Sequence, residues 1–160
     1  MRRLVEDAAQ FAIRRMVAED LPAVLAIEQV AFRHPWSPEL VKRELTHEWS
    51  TILLAEELDP RSGGMRLLGF SIFWVVHDEL HILNVATSPD HRRRGVGRSL
   101  MDATLCWARE KKCKLATLEL RKSNEAALEL YKSLSFKQVG IRRKYYVDEG
   151  EDAIVMVLDL

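Results

Sequence analysis

Cysteine is scarce in this chain of 160 residues, which holds 2, Cys106 and Cys113. That scarcity excludes a disulfide-stapled scaffold. The two lie on one predicted helix about 10.5 Å apart along its axis, beyond the reach of a disulfide, and both read as small core or boundary residues. No His/Cys cluster stands at ligand spacing, so no structural or catalytic metal is expected. Long apolar runs are also missing. The longest, Leu67 to Val76, is broken by Gly69 and Ser71 and has about half the length of a membrane span. The amino terminus brings in Glu6 and Asp7 with no apolar stretch behind them, unlike a secretion signal. These absences point to a soluble, cytoplasmic protein with no membrane partner. Internal repeats and low-complexity segments are absent, and the length suits one domain over residues 1–160, with residues 1–10 expected as a disordered extension.

Net charge is the last absence: 24 basic side chains balance 24 acidic ones. The balance is uneven along the chain. Residues 91–146 hold 15 basic and 5 acidic side chains, the remainder 9 and 19. Such polarity suits a protein that meets a polyanionic cofactor on one side and a basic substrate on the other. The basic stretch carries no recognised nucleic-acid motif, so no direct nucleic-acid partner is expected. The acids Glu28, Glu39, Glu44 and Glu48, with Asp148, Glu149, Glu151 and Asp152, are expected to flank the entrance for that basic substrate.

The most informative stretch present is Asn84-Val-Ala-Thr-Ser-Pro-Asp-His-Arg-Arg-Arg-Gly-Val-Gly-Arg98, a strand end running through an Arg/Gly-rich turn into an amphipathic helix. Gly95 and Gly97 are expected to allow positive φ and close approach of a ligand. The first N–H groups of the following helix lack intrahelical partners and point outward with the positive end of its dipole. That arrangement is an anion cradle fit for a pyrophosphate. A solvated basic turn would explain the three arginines equally well, so the turn alone does not decide. There is no Gly-x-Gly-x-x-Gly for a dinucleotide and no Gly-Lys-Ser/Thr for a P-loop.

Periodicity and turn chemistry predict the order β-α-α-β-β-β-α-β-α-β-β. Strands are expected at Phe11–Met16, Thr51–Glu56, Arg66–Val76, Glu79–Thr87, Leu115–Arg121, Phe136–Tyr146 and Ala153–Leu160. Helices are expected from an Asp20 cap to Phe32, from a Ser37 cap to His47, at Gly95–Lys112 and at Asn124–Ser133. Asp59 to Gly64 reads as a mobile turn.

The spacing Arg92-x-x-Gly95-x-Gly97 resembles the signature turn of the GNAT superfamily of acetyl-CoA-dependent N-acetyltransferases, and the element order resembles that fold from end to end. The stretch Leu118-Glu-Leu-Arg-Lys-Ser-Asn-Glu-Ala-Ala-Leu-Glu-Leu-Tyr-Lys-Ser-Leu-Ser-Phe136 is similar to bacterial ribosomal-protein-alanine N-acetyltransferases of the RimI type. Pro35-Trp36-Ser37, Ile141 to Tyr146 and Glu151 to Met156 agree with it. The resemblance implies an α/β GNAT fold with a mixed, mostly antiparallel sheet of about seven strands and four helices. It implies acetyl-CoA as cosubstrate and the N-terminal alanine of ribosomal protein S18 as acceptor.

By the same resemblance Glu119 is the proton acceptor, Tyr131 the proton donor and Asn124 a cofactor contact. Val85, Ala86 and Thr87 supply main-chain contacts to the pantetheine arm. Arg92, Arg93, Arg94, Gly95, Val96, Gly97 and Arg98 are the expected cofactor-binding turn, in which the backbone N–H groups from Arg93 to Arg98 wrap the pyrophosphate and the arginine side chains add charge to it or to the 3′-phosphate. Chemistry supports these types of residue. A carboxylate interrupting Leu115, Leu118 and Leu120 is costly unless it pairs or faces a wet cleft; pairing with Arg121 or Lys122 would also satisfy Glu119. Tyr131 shares helical spacing with Ala127 and Leu128, so its ring equally fits a core. Glu79 and His81, on one strand face with Leu83 and Val85, are the alternative bases. An α-amine titrates near 7.8 and a lysine near 10.4, so freeing the lysine at pH 7 costs roughly 3.5 kcal/mol more. A desolvating cleft lowers a lysine's value, so protein lysines or a small-molecule amine stay open as acceptors, as does a non-catalytic acetyl-CoA-binding module. Ser135 stands where the family carries a glycine, at a site that needs positive φ.

Overall fold

The computed structural model describes residues 11–160, and the expected extension over residues 1–10 lies outside the described residues. Strands β1 (Ala12–Arg15), β2 (Ser50–Leu58), β3 (Met65–Val76), β4 (Glu79–Thr87), β5 (Leu115–Arg121), β6 (Lys137–Tyr146) and β7 (Glu151–Asp159) join in one seven-stranded sheet. Their spatial order is β1-β2-β3-β4-β5-β7-β6. Every neighbouring pair is antiparallel except β4 and β5. Helices α1 (Leu21–Ala31), α2 (Pro38–Glu44), α3 (Val96–Glu110) and α4 (Glu125–Ser133) complete the expected order.

The sheet buries both faces. Helix α3 turns Val96, Leu100, Met101, Leu105 and Ala108 inward at helical spacing, and with α4 covers Leu118, Leu120 and Met156. Helices α1 and α2 cover the opposite face, packing Val24, Ile27 and Val41 against Leu54, Phe70, Ile72 and Ala86. Full burial of a Val, Leu, Ile, Phe or Met side chain contributes about 1.5–3 kcal/mol, so the sheet is clamped from two sides.

Local signals set the helix ends, with differences from expectation at the start of α1 and at the ends of α2, which stops at Glu44 rather than His47, and α3. Ser37 caps α2, its Oγ accepting the Leu40 N–H at 3.3 Å, with Pro38 at the first helical position. Asp20 does not cap α1. Its carboxylate accepts the Arg14 guanidinium at 2.7 and 2.8 Å and the Val17 N–H at 2.8 Å, closing the short turn before the helix. Helix α3 stops at Glu110 because Lys112 turns left-handed, with φ 61°. Cys113 therefore lies past the helix and is buried, while Cys106 is exposed rather than core. Ser135 does adopt φ 74°, the left-handed position expected after α4. The Asp59–Gly64 turn is folded back on itself, Asp59 Oδ1 accepting the Arg61 N–H at 3.0 Å and Asp59 O the Gly63 N–H at 2.8 Å. Among the described residues no helix is long and apolar enough to cross a membrane, and no group of three or more His, Cys, Asp or Glu could hold a metal ion.

Candidate active site

Parallel pairing of β4 with β5 covers only Glu79–Ile82 against Leu115–Leu118. Beyond that point the strands part. The β3 register slips at the same place: Ile72 faces Asn84 and Phe73 faces Ile82, which leaves Leu83 as an extra, bulged residue. A bulge inverts side-chain alternation downstream. Leu80, Ile82 and Val85 consequently pack on the α3 side, and Leu83, Asn84 and Ala86 on the α1 side. The expected shared face of Glu79, His81, Leu83 and Val85 does not form. Glu79 and His81 pair with each other at 3.0 Å and stay outside the cavity lining.

Where the strands separate lies a cavity of about 290 Å³, lined from both faces of the sheet. Glu28, Phe32, His34 and Trp36 reach it from the α1 side, Asn124, Ala127 and Tyr131 from the α4 side, and Asn84, Val85 and Glu119 from the strands. Strand alternation sets Glu119 opposite buried Leu118 and Leu120, hence toward α1. Its Oε1 lies 3.7 Å from Arg142 Nη2, not beside Arg121 or Lys122. Arg121 is engaged elsewhere, at 2.6 Å from Asp148 and 3.4 Å from Glu151.

Tyr131 belongs to the core and to the cavity at once: it is 7% exposed yet lines the opening. Burial, with a smaller contribution from Tyr146, pushes its phenol up to about 12, so it holds its proton at neutral pH. Tyr146 closes the far side beneath the Arg121 guanidinium, 4.2 Å above its ring. Asn124 caps α4 through its Oδ1, which accepts the Ala127 N–H at 3.2 Å.

The turn between β4 and α3 forms the cradle in part as expected. Arg93 and Gly95 are left-handed, with φ 62° and 82°. Consecutive bends of this kind turn N–H groups into one concavity. The first helical bond is Ser99 N–H to Gly95 O at 2.9 Å, so the N–H groups of Val96, Gly97 and Arg98 have no acceptor within the helix. Gly97 departs from expectation. It has helical rather than positive φ, and a Cβ there would meet Leu130 Cδ2 at 3.5 Å and Thr87 Oγ1 at 3.7 Å, ordinary contact distances that leave little room for a larger side chain. Val96 buries its side chain in the core and leaves only its main chain to the turn. Arg94 grips Glu57 at 2.7 and 2.9 Å and crosses the Phe11 ring, which fastens the turn to β2. That grip, with Arg66, holds the Glu57 carboxyl down at about 2. Arg98 donates to Ser133 Oγ at 3.1 Å, while Arg92 and Arg93 are exposed.

The acids expected around the entrance are mostly spoken for. Arg94–Glu57, Arg121–Asp148 and Arg121–Glu151 each join the basic segment to an acidic one, so the two charge blocks interleave in space. Glu149 meets Arg33 at 3.0 Å and His34 at 3.5 Å, which ties the β6–β7 turn to the α1–α2 connection across the cavity mouth. Asp152 accepts the Lys144 N–H at 2.9 Å. Glu44 is buried and accepts the Trp74 Nε1–H at 2.7 Å. Glu28 is 1% exposed. Its Oε2 accepts the Trp36 N–H at 3.1 Å and its Oε1 the Asn84 amide at 2.6 Å. Burial raises its carboxyl above the usual range against the pull of both bonds. The signal for it was available, because Glu28 shares helical spacing with Val24, Ile27 and Ala31.

A sheet split between its parallel strands, with an anion cradle at the helix that follows, is the architecture of an acyl-CoA-dependent transferase. The chain belongs to the acetyltransferase (GNAT) family, whose model matches residues 21–136. The ribosomal protein bS18-alanine N-acetyltransferase of Escherichia coli (strain K12) is 35% identical over 150 residues, 92% of this chain and 97% of its own. The crystal structure of the ribosomal-protein-S18-alanine N-acetyltransferase from Escherichia coli matches with a TM-score of 0.81 at 34% identity, over 93% of both chains. Arabidopsis thaliana NAA60 in complex with acetyl-CoA matches with a TM-score of 0.85 over 94% of this chain and 99% of its own; at 18% identity that likeness is one of fold. The mixed seven-stranded, four-helix GNAT fold implied by the sequence is the one observed.

Proposed function

We propose that the protein transfers the acetyl group of acetyl-CoA to the N-terminal α-amine of a protein, its acceptor being the N-terminal alanine of ribosomal protein S18. The reading is carried by the cavity where β4 and β5 part, which a carboxylate and a phenol enter from opposite sides. The similarity to S18-alanine acetyltransferases supports the choice of acceptor. Acting on a ribosomal protein, the enzyme works in the cytoplasm as a single domain.

The residues present fit acetyl-CoA. The left-handed turn at Gly95 and the free N–H groups of Val96, Gly97 and Arg98 suit a pyrophosphate, with charge from Arg92 and Arg93. Val85, Ala86 and Thr87 lie beyond the last β4–β5 pair, where an extended amide arm can take the place of the missing strand. Asn124 lines the same cavity from the start of α4. When bound, acetyl-CoA supplies a thioester, an acyl group activated toward an amine. Glu119 faces the α1 side and takes the proton from the incoming ammonium through water. Arg142 supplies the counter-charge to that carboxylate. An α-amine titrating near ~7.8 needs only such a modest base. Tyr131, on the other side, retains its proton and is the source of one for the departing sulfur.

Mass spectrometry of a peptide panel incubated with acetyl-CoA tests the reading. Acetylation on the α-amine of alanine-led peptides is the expected result. Label confined to internal lysines would overturn it.

A further inference from the structure

One buried carboxylate in the cavity wall has no part in the transfer step just described. Glu28 is buried on α1 together with Val24 and Ile27, and both its oxygens are used. One holds the main chain of Trp36 in the α1–α2 connection, at 3.1 Å. The other holds the side chain of Asn84, the residue that follows the β4 bulge, at 2.6 Å. Trp36 and Asn84 both line the cavity, so one side chain spans two of its walls. A carboxylate buried in apolar surroundings is costly unless strong bonds offset the loss of water, and an apolar residue would serve α1 packing as well. Its presence calls for a task that an apolar residue cannot perform.

We propose that Glu28 is a positioning residue for the acceptor: its carboxylate clamps the α1–α2 connection to the bulged end of β4 and so sets the width of the α1-side opening. The inference rests on the reading above, in which the acceptor amine enters on the α1 side and meets Glu119. Glu28 neither donates nor takes the transferred proton. It holds Trp36 and Asn84 in register, so the cost of seating the acceptor is met before the acceptor arrives.

Three variants separate clamping from packing. Glu28→Leu keeps apolar volume and removes both bonds. In Glu28→Gln the amide oxygen accepts from Trp36 while the amide nitrogen meets an inverted Asn84, so the clamp can re-form. Asn84→Ala removes one bond only. Steady-state kinetics with an alanine-led peptide should show KM for the peptide raised about tenfold or more in Glu28→Leu, the size of a lost charge-assisted bond. The rise should be smaller in Asn84→Ala and smallest in Glu28→Gln, with acetyl-CoA affinity by calorimetry the same in all three. Wild-type turnover of the peptide tests the acceptor reading by itself. Should the wild type prefer another amine in the panel, the same ratios are taken with that amine. A folded Glu28→Leu protein with unchanged acceptor KM would overturn the clamp, as would equal losses in Glu28→Leu and Glu28→Gln. If Glu28→Leu does not fold, Asn84→Ala decides alone, and an unchanged KM there has the same meaning.

Discussion

Glu119 and Tyr131 enter one cavity from opposite faces of the sheet, Glu119 from the half-buried row of β5 and Tyr131 through the core beneath α4. Under the proposed function, that separation puts proton removal on the acceptor side and proton supply on the cofactor side. Glu119→Gln should therefore leave acetyl-CoA affinity intact and lower kcat by about 100-fold to 10,000-fold, the range of a lost general base. The defect should shrink as pH rises, because the amine then sheds its proton unaided. A pH–rate profile checks this; a variant matching the wild type at every pH would remove Glu119 from the mechanism.

Tyr131→Phe tests the other side. Turnover should fall about 100-fold with unchanged cofactor affinity if the phenol supplies a proton. Stability gives a second readout. The folded-state phenols of Tyr131 and Tyr146 are raised to about 12, mainly by burial. A raised value means that the folded state holds the proton more tightly than the unfolded chain. The associated stability is complete below the ordinary phenol value and disappears as pH climbs through about 12. Chemical denaturation from neutral to alkaline pH should thus show a falling limb that Tyr131→Phe makes shallower.

How far this site was readable depends on the kind of signal. Element order and the turn at Gly95 were legible, because apolar periodicity and a left-handed glycine act within a few residues. The β4 bulge was not. It arises from the register of Ile72 and Phe73 against Asn84 and Ile82, residues about ten positions apart in sequence, and it overturns the face assignment of Val85. Glu28 and Glu44 counted as surface acids because charge is usually solvated, although Glu28 kept the spacing of a core residue. The Arg94–Glu57 pair joins the turn before α3 to the distant strand β2, and nothing local announces it.

The two glycines of the cradle should fail in different ways. Gly95 has φ 82°, and a methyl group at its Cβ position would find nothing within 4 Å, so Gly95→Ala meets strain without a clash. It should cost about 1–2 kcal/mol of stability in denaturant titration and keep much of its acetyl-CoA affinity. Gly97 is helical, and its Cβ position faces Leu130 and Thr87 at ordinary contact distance. Gly97→Val adds a branched isopropyl group where the cofactor must approach, so binding in calorimetry should be lost while the fold persists. Normal affinity in folded Gly97→Val protein would move the pyrophosphate elsewhere.

The cavity mouth gives the last prediction. Arg121 holds the Asp148 carboxyl below the usual range by a hydrogen bond, and Ser123 with Arg121 does the same for Glu151. A depressed carboxyl stabilises the fold above its ordinary value and loses that contribution as pH falls through the depressed one. Arg121→Leu should accordingly flatten the acid limb of the stability curve. Glu151 is thus part of the hairpin's construction and unsuitable for charge reversal. Glu149 is the better probe, because it sits half-exposed against Arg33 and His34 across the mouth. Glu149→Lys sets a like charge beside Arg33 and pushes the β6–β7 turn away from the α1–α2 connection. KM for a basic alanine-led peptide should rise, more at low salt than at high, because salt screens charges separated by more than about 10 Å at 0.1 M. Glu39→Lys, at an exposed position in the first turn of α2, is the matched control for net charge and should change KM less. Equal effects from the two reversals would mean that overall charge steers the acceptor and that the contact across the mouth does not shape its entrance.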